Sequence, residues 1–204
     1  APGSSLVRDK QTYTVSGVVD IKPRGGGRVD HEPGLYPPLQ EANRTPIVIC
    51  KTCHSVVEET DLEAGVEGRI THCSTCGEAG ARVLDAREPR DFFVLAKPED
   101  YGGFFDFEGR TSRPVLAVAP SSTPTLVQNA NLVGGANTVL SFNENEGRGG
   151  FDFAPTKYTP NAYWVDRGPA AGPASEQRRI ALLARKVTDT LQIGVNRWPK
   201  AHYA

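Results

Sequence analysis

Short apolar runs recur along the whole chain, and most of them are bounded by glycine, proline or charged residues. Runs that are rich in β-branched and aromatic residues, and that alternate with polar positions, are typical of short strands. We predict strands at residues 13–21, 47–49, 81–86, 91–96, 114–119, 125–132, 138–143, 151–153 and 162–166. Together they predict a mostly β protein, folded as a short-stranded sandwich or a curled sheet.

Segments 176–193 and 23–46 do not follow the simple pattern of short strands. The apolar residues of segment 176–193 recur at a spacing that also fits a helical face. From residue 186 to 195, however, apolar and polar residues alternate, so we predict a strand at least there. Residues 23–46 are polar and rich in glycine and proline, which predicts a long loop or linker.

The four cysteines form two Cys-x-x-Cys pairs, Cys50/Cys53 and Cys73/Cys76, with 19 residues between them. Each pair presents two thiolates on one side of a tight turn, and two such turns complete the tetrahedron of a closed structural Zn²⁺ site. Because four sulfurs fill the tetrahedron, no position stays open for water. We therefore predict an inserted four-cysteine zinc ribbon whose Zn²⁺ stabilises the fold.

Other assignments of the cysteines stay open. Two disulfides would suit a small secreted scaffold, but four cysteines are sparse for 204 residues. A redox-active pair on a strand-to-helix turn would leave the second pair without a role. His54 and His72 flank the cysteines, where either could replace a ligand or donate to thiolate sulfur. Gly77 follows the second pair and is expected at a turn that needs a positive φ.

The ribbon divides the chain into three predicted parts: an N-terminal strand and linker (1–45), the zinc ribbon (46–80) and a β domain (81–204). Residues 46–80 contain two basic and six acidic side chains, whereas residues 148–204 contain nine basic and four acidic ones. Since phosphates bind basic surfaces, the candidate nucleic-acid-binding residues are Arg148, Arg178, Arg179, Arg185 and Lys186. The alternative is that these charges lie on solvated strand faces.

The chain contains no recognisable catalytic motif. Its glycine clusters lack the Gly-Lys-Ser/Thr ending of a phosphate-binding loop, and no Gly-x-Ser-x-Gly sequence occurs. We predict a non-catalytic protein, with a hydrolase that uses Asp100, Asp106 and Glu108 as a remaining alternative. Some aromatic residues could stack on nucleobases, although core packing is the simpler interpretation for most. These residues are Phe92, Phe93, Phe104, Phe105, Tyr163, Trp164 and Trp198.

Several short segments are similar to those of one family. Residues 88–92 and Ser112-Arg113 resemble the stretch that follows its zinc ribbon. Residues 143–151 resemble its glycine-rich turn, and residues 184–191 resemble its Thr-Asp-x-Leu strand. Together these segments resemble the zinc-binding C-terminal region of MrfA-like superfamily-2 DNA helicases, and the related helicase-associated subunit of the DISARM anti-phage system.

This resemblance implies a bacterial cytoplasmic protein that works on DNA in repair or phage defence, with the ATPase motor in another domain or subunit. It also implies that the four cysteines are the metal ligands. We expect a non-catalytic accessory module and, because the chain contains no methionine, a fragment of a longer protein. The rival expectation is a pure protein–protein interaction scaffold that structural zinc stabilises.

Overall fold

The structure is a computed structural model that describes residues 1–39, 45–53, 56–58, 70–73, 76–94, 98–103, 113–116, 125–128, 130–156, 161–165 and 176–195. These residues form sixteen strands and one short 3-10 turn. Within the same ranges there is no α-helix, and so no helix with the length and apolar character to cross a membrane.

The strands are distributed along the whole described chain. The first eight are β1 (Ser5–Arg8), β2 (Gln11–Arg24), β3 (Arg28–Glu32), β4 (Leu35–Tyr36), β5 (Pro46–Cys50), β6 (Val56–Glu58), β7 (Ile70–His72) and β8 (Ala79–Pro89). The remaining eight are β9 (Asp91–Val94), β10 (Glu99–Asp100), β11 (Arg113–Leu116), β12 (Thr125–Val127), β13 (Ala130–Asn143), β14 (Phe151–Pro155), β15 (Tyr163–Trp164) and β16 (Arg178–Val195).

All sixteen strands join one curled sheet. Its main path runs in the order β1-β2-β15-β14-β16-β8-β5-β6. Off this path, β3, β9 and β10 pair with β2, β4 and β7 pair with β8, and β13 pairs with β16 and carries β11 and β12. At the centre, β16 lies parallel to β8, with Ala181 opposite Ala86. The prediction of a mostly β protein with a curled sheet and a four-cysteine cluster is therefore confirmed.

The segment 180–183 of β16 is buried on both faces because successive strand residues point to opposite sides of the sheet. Ile180 and Leu182 belong to a core cluster with Val18, Leu35, Phe151, Phe153 and Tyr163. Ala181 and Leu183 belong to a second cluster with Ile47, Ile49, Val56, Leu84, Ala86, Leu140 and Phe142. Thus β16 separates two apolar cores, and this double burial explains its run of consecutive apolar residues.

The predicted loop at residues 23–46 is wrong over its first part. β2 continues to Arg24, the 3-10 turn Gly25–Gly27 reverses the chain, and β3 runs back along β2. β4 then pairs with β8. The glycine run is a hairpin turn in which Gly26 and Gly27 adopt positive φ, a conformation that glycine reaches without steric cost.

The predicted strand at residues 125–132 is instead a hairpin. β12 ends at Val127, Gln128 has a φ of 51°, and β13 begins at Ala130. β13 then continues through Gly134 and Gly135 and includes the predicted strand 138–143. Glycine usually weakens a strand, but here the pairing with β16 continues across both glycines, and Gly135 has a positive φ of 153°.

β13 pairs with β16 along its whole length, with residues 130–143 opposite residues 182–195, and beyond the core the two strands continue as a paired arm. The arm confirms the strand predicted for residues 186–195 and excludes the helical alternative. Val187, Leu191 and Ile193 share one face of this arm and are exposed, Val187 by 74%.

β8 also crosses the position where the ribbon was expected to end. It runs from Ala79 to Pro89, and pairs with β5 and β7 at one end and with β16 further along. The predicted boundary at residue 80 thus lies inside a strand that belongs to the ribbon and to the main sheet.

Candidate metal centre

Pairing with β8 brings the two cysteine pairs together. Cys50 is the last residue of β5 and lies opposite Ala81 of β8. On its other side β8 pairs with β7, which places Thr71 opposite the same Ala81 and leads into Cys73. A central strand with β5 on one edge and β7 on the other therefore positions two turns that lie far apart in the sequence.

The four sulfur atoms have the separations of a tetrahedral zinc site. All of them lie within 4.8 Å of one another. The Sγ atoms of Cys50 and Cys76 are 3.7 Å apart, and those of Cys53 and Cys73 are 3.6 Å apart. Zn–S bonds of about 2.3 Å place neighbouring sulfurs of a tetrahedron about 3.8 Å apart. The cluster fits zinc, and these distances are far too long for disulfide bonds, which measure about 2.05 Å.

Backbone amides support the sulfur atoms. The amides of Thr52 and Cys53 donate to Sγ of Cys50 at 3.3 and 3.5 Å. In the second turn, the amide of Gly77 donates to the carbonyl of Cys73 at 2.8 Å, and Gly77 has a φ of 74°. The positive φ predicted for Gly77 is therefore confirmed. A residue with a side chain would strain the turn that presents Cys73 and Cys76, which explains why glycine occupies this position.

Hydrogen bonds and desolvation shift the pKa values of Cys50 and Cys76 in opposite directions. The amides of Cys53 and Thr52 lower the pKa of Cys50, against an opposing effect of desolvation. The amide of Glu78 lowers the pKa of Cys76, but desolvation and hydrogen bonds to the three other thiols outweigh it and raise that pKa to about 12. Without a cation, four adjacent thiolates would repel one another, and this repulsion favours keeping thiols of the cluster protonated.

One side of the cluster is buried and the other is exposed. Cys50 and Cys73 pack in a third apolar cluster with Val48, Ala81 and Val83, whereas Cys53 and Cys76 are exposed. Since four cysteine ligands fill a tetrahedral site, the arrangement suits a structural ion and leaves no position for a reacting water. His72 is exposed beside the cluster, and His54 lies outside the described residues.

A buried ion pair next to the ribbon was missed by the sequence analysis. Arg87, which is 2% exposed, holds the carboxylate of Asp85 at 2.7 Å, and both side chains extend from β8. Arg87 also donates to the carbonyls of Pro37 and Pro38, and Asp85 accepts from the amide of Thr45 at 3.2 Å. The pair therefore ties the segment before β5 to β8. Its only sequence signal is that both residues continue the buried alternation of Ala81 and Val83.

The five basic candidates do not form one cluster. Arg178 and Arg179 begin β16, whereas Arg185 and Lys186 lie about 20 Å further along it. Alternation places Arg179 and Arg185 on one face and the other two on the opposite face. Arg148 is exposed in the turn that precedes β14.

Two of these arginines pair with carboxylates. Arg179 makes a bidentate contact to Asp152 at 2.8 and 2.9 Å, which raises the pKa of the guanidinium. Arg185 pairs with Glu88 of β8. Lys186 is exposed, and no ion pair to it is present within the described residues.

The other candidate residues are dispersed. Phe92 is partly exposed on β9, and Phe93 contacts Trp164 edge to face with ring centroids 4.9 Å apart. Asp100 lies in β10. The remaining aromatic and acidic candidates lie outside the described residues, and they are Phe104, Phe105, Asp106, Glu108 and Trp198.

The geometry of the cysteine cluster is the strongest functional feature of the described chain. Comparison of the sequence and structure with protein-family models, curated proteins and solved structures gives no match. The chain's own residues provide a four-cysteine cluster that fits a metal ion, positioned by β8 of a curled β sheet.

Proposed function

We propose that this chain is a non-catalytic accessory module, held by a structural zinc ion, of a bacterial DNA helicase or anti-phage defence complex. In this proposal it contributes to DNA binding or to docking of the helicase motor subunit in the cytoplasm. The observation that carries the proposal is the tetrahedral spacing of the four sulfur atoms, with 3.7 Å between Cys50 and Cys76 and 3.6 Å between Cys53 and Cys73. A closed sulfur site supplies rigidity, and chemistry is left to the partner.

Support for the DNA part comes from the resemblance to the helicase-associated family and from the basic last quarter of the chain. Arg179 and Arg185 are paired with carboxylates, but the Arg179 side chain is 59% exposed. Exposed ion pairs contribute little stability. A phosphate can therefore replace the Asp152 carboxylate at small cost, and Lys186 offers a second cationic contact.

A second candidate is a protein–protein scaffold that does not touch DNA. The ribbon segment carries an excess of acidic residues, which repel phosphate. The ion pairs of Arg179 and Arg185 also favour this candidate, because arginines that are already neutralised locally do not need a phosphate partner.

Salt-dependent DNA binding separates the two candidates. We expect the zinc-loaded chain to bind single- or double-stranded DNA at low salt, with an affinity that falls steeply as salt rises. Lys186→Glu should weaken binding to all sequences and reduce the slope of log affinity against log salt by about one. Fluorescence anisotropy with labelled oligonucleotides measures both quantities.

Arg28→Glu is the matched control, because it changes the charge equally on the separate β2–β3 hairpin. It should leave the affinity and the salt slope near those of the parent. No binding of either DNA form at low salt, or equal losses in the two variants, would favour the scaffold.

A further inference from the structure

A cavity of about 340 Å³ opens on one face of the sheet where β2, β3, β9 and β15 meet. Val19 and Ile21 of β2 form its floor, and His31 of β3 lies opposite Ile21. Phe93 and Trp164 form an aromatic wall. The cavity lies outside the cysteine cluster, and none of the five basic candidates lines it.

Gly17 creates this aromatic wall. It lies in β2 between its two partner strands, with Phe93 opposite on one side and Trp164 opposite on the other. A Cβ atom at residue 17 would overlap the Phe93 ring and the carbonyl of Tyr163. Without a side chain at this position, the Phe93 ring lies across β2 and meets the Trp164 ring at 86°. The two rings thus present an apolar surface to the cavity.

Within the described residues, the lining is apolar apart from His31 and Thr156 and contains no lysine, arginine or carboxylate. The cations of the nearby hairpin are Lys22, Arg24 and Arg28, and strand alternation places them on the face opposite Ile21 and His31. Among the described lining residues, phosphate groups therefore have no lysine or arginine partner. Within the described residues, the buried indole Nε1 of Trp164 also has no hydrogen-bond partner.

We propose that this cavity binds an uncharged planar heteroaromatic ring that carries a hydrogen-bond acceptor. Its volume lies within the range of ligand-binding pockets, which starts at about 300 Å³. The aromatic wall favours a flat ring, because any planar aromatic ligand offers a π face on which Phe93 and Trp164 can stack. An acceptor on the ring would relieve the unpartnered indole N–H after a small shift of Trp164. A nucleobase has this chemistry, whether in a free nucleoside or in an unpaired stretch of DNA.

Tryptophan fluorescence tests the proposal directly. The chain contains two tryptophans, so in a Trp198→Phe background Trp164 is the only one. We expect adenosine to change the Trp164 emission with a saturable curve. Adenosine monophosphate should bind with similar affinity, because the described lining residues include no lysine or arginine. Cyclohexanol, which is apolar but neither planar nor aromatic, should produce no saturable change.

Two variants and one control locate the binding site. Phe93→Leu removes the ring and should weaken adenosine binding on the order of tenfold or more. Ile21→Trp fills the cavity from a partly exposed position and should abolish saturable binding, measured by equilibrium dialysis with labelled adenosine. Phe92→Leu makes the same change as Phe93→Leu one residue away, at a side chain outside the cavity, and should leave the affinity unchanged.

The source of the ring is distinguished with a thymidine oligonucleotide and an abasic strand of equal length. Tighter binding of the intact strand, lost in Phe93→Leu, identifies an unpaired base in DNA as the ligand. Equal binding of both strands, together with saturable binding of adenosine, identifies a free heteroaromatic molecule. Adenosine binding that is absent, or that survives unchanged in both Phe93→Leu and Ile21→Trp, overturns the proposal and leaves the DNA-binding proposal intact.

Discussion

At the scale of single residues, the protons of the four thiols determine how tightly the cysteine cluster could hold a metal ion. Without metal, desolvation and the neighbouring thiols outweigh the Glu78 amide and raise the pKa of Cys76 to about 12, so this thiol is protonated at neutral pH. Zinc binds thiolates, and its binding must therefore release that proton. Since protons compete with the metal, a rise in pH favours the metal-bound form.

We predict that the apparent zinc affinity rises about tenfold per pH unit for each proton released, between pH 6 and 8. Competition with a chromophoric chelator of known affinity measures this dependence. The metal-free protein should become less stable between pH 9.0 and about 12, because a thiol pKa raised in the folded state contributes stability that is lost as pH rises through this range. A zinc affinity that does not change with pH would contradict a thiolate site.

The buried pair Asp85–Arg87 gives a second prediction at this scale. Arg87→Met leaves the carboxylate of Asp85 buried without its cation, and should lower the free energy of unfolding by about 3–5 kcal/mol. Arg179→Met removes an exposed ion pair and should cost about 1 kcal/mol or less. Urea denaturation of the zinc-loaded proteins measures both changes. Equal costs would show that Arg87 does not stabilise the fold through its buried partner.

At the scale of elements, β16 is buried at one end and exposed at the other. Leu183 is 1% exposed within the second core cluster, whereas Val187, four residues further along the same face, is exposed. Leu183→Ala should therefore cost about 2–5 kcal/mol of unfolding free energy. Val187→Thr keeps a β-branched side chain at an exposed position and should change it by about 0.5 kcal/mol or less.

Thermal or urea unfolding of the two variants provides the measurement. Similar losses would mean that the arm formed by β13 and β16 is covered in solution. A small loss for Leu183→Ala would contradict the burial of β16 between two cores.

Local patterns in the sequence predicted some of these elements and missed others for physical reasons. The cysteine spacing predicts the cluster because two short turns determine which sulfurs can meet, and the alternation in residues 186–195 predicts a strand. The parallel pairing of β16 with β8 leaves no local signal, since it joins segments almost one hundred residues apart. Asp85 and Arg87 have the composition of surface residues, and only the three-dimensional contacts show that each buries the other.

At the scale of the whole molecule, β8 connects the metal centre to the apolar cores. Ala81 and Val83 pack with Cys50 and Cys73, and Leu84 and Ala86 belong to the cluster that contains Leu183. One face of β8 therefore packs against Cys50 and Cys73 near the start of the strand, while its other face contributes to the second core cluster. A change that destabilises the ribbon should also destabilise the sheet, because the backbone of β8 pairs with β5, β7 and β16.

This shared strand predicts that metal removal destabilises the molecule as a unit. Structural zinc sites contribute on the order of 10 kcal/mol, which is comparable to the stability of a whole domain. EDTA, or Cys73→Ser in the presence of zinc, should therefore shift a single unfolding transition to a much lower temperature, measured by circular dichroism and calorimetry. EDTA should have no further effect on Cys73→Ser, and added zinc should restore the chelated parent. If the main transition stayed in place and only a small separate step disappeared, the ribbon at residues 46–80 would be an independent domain, and β8 would not couple the metal to the core.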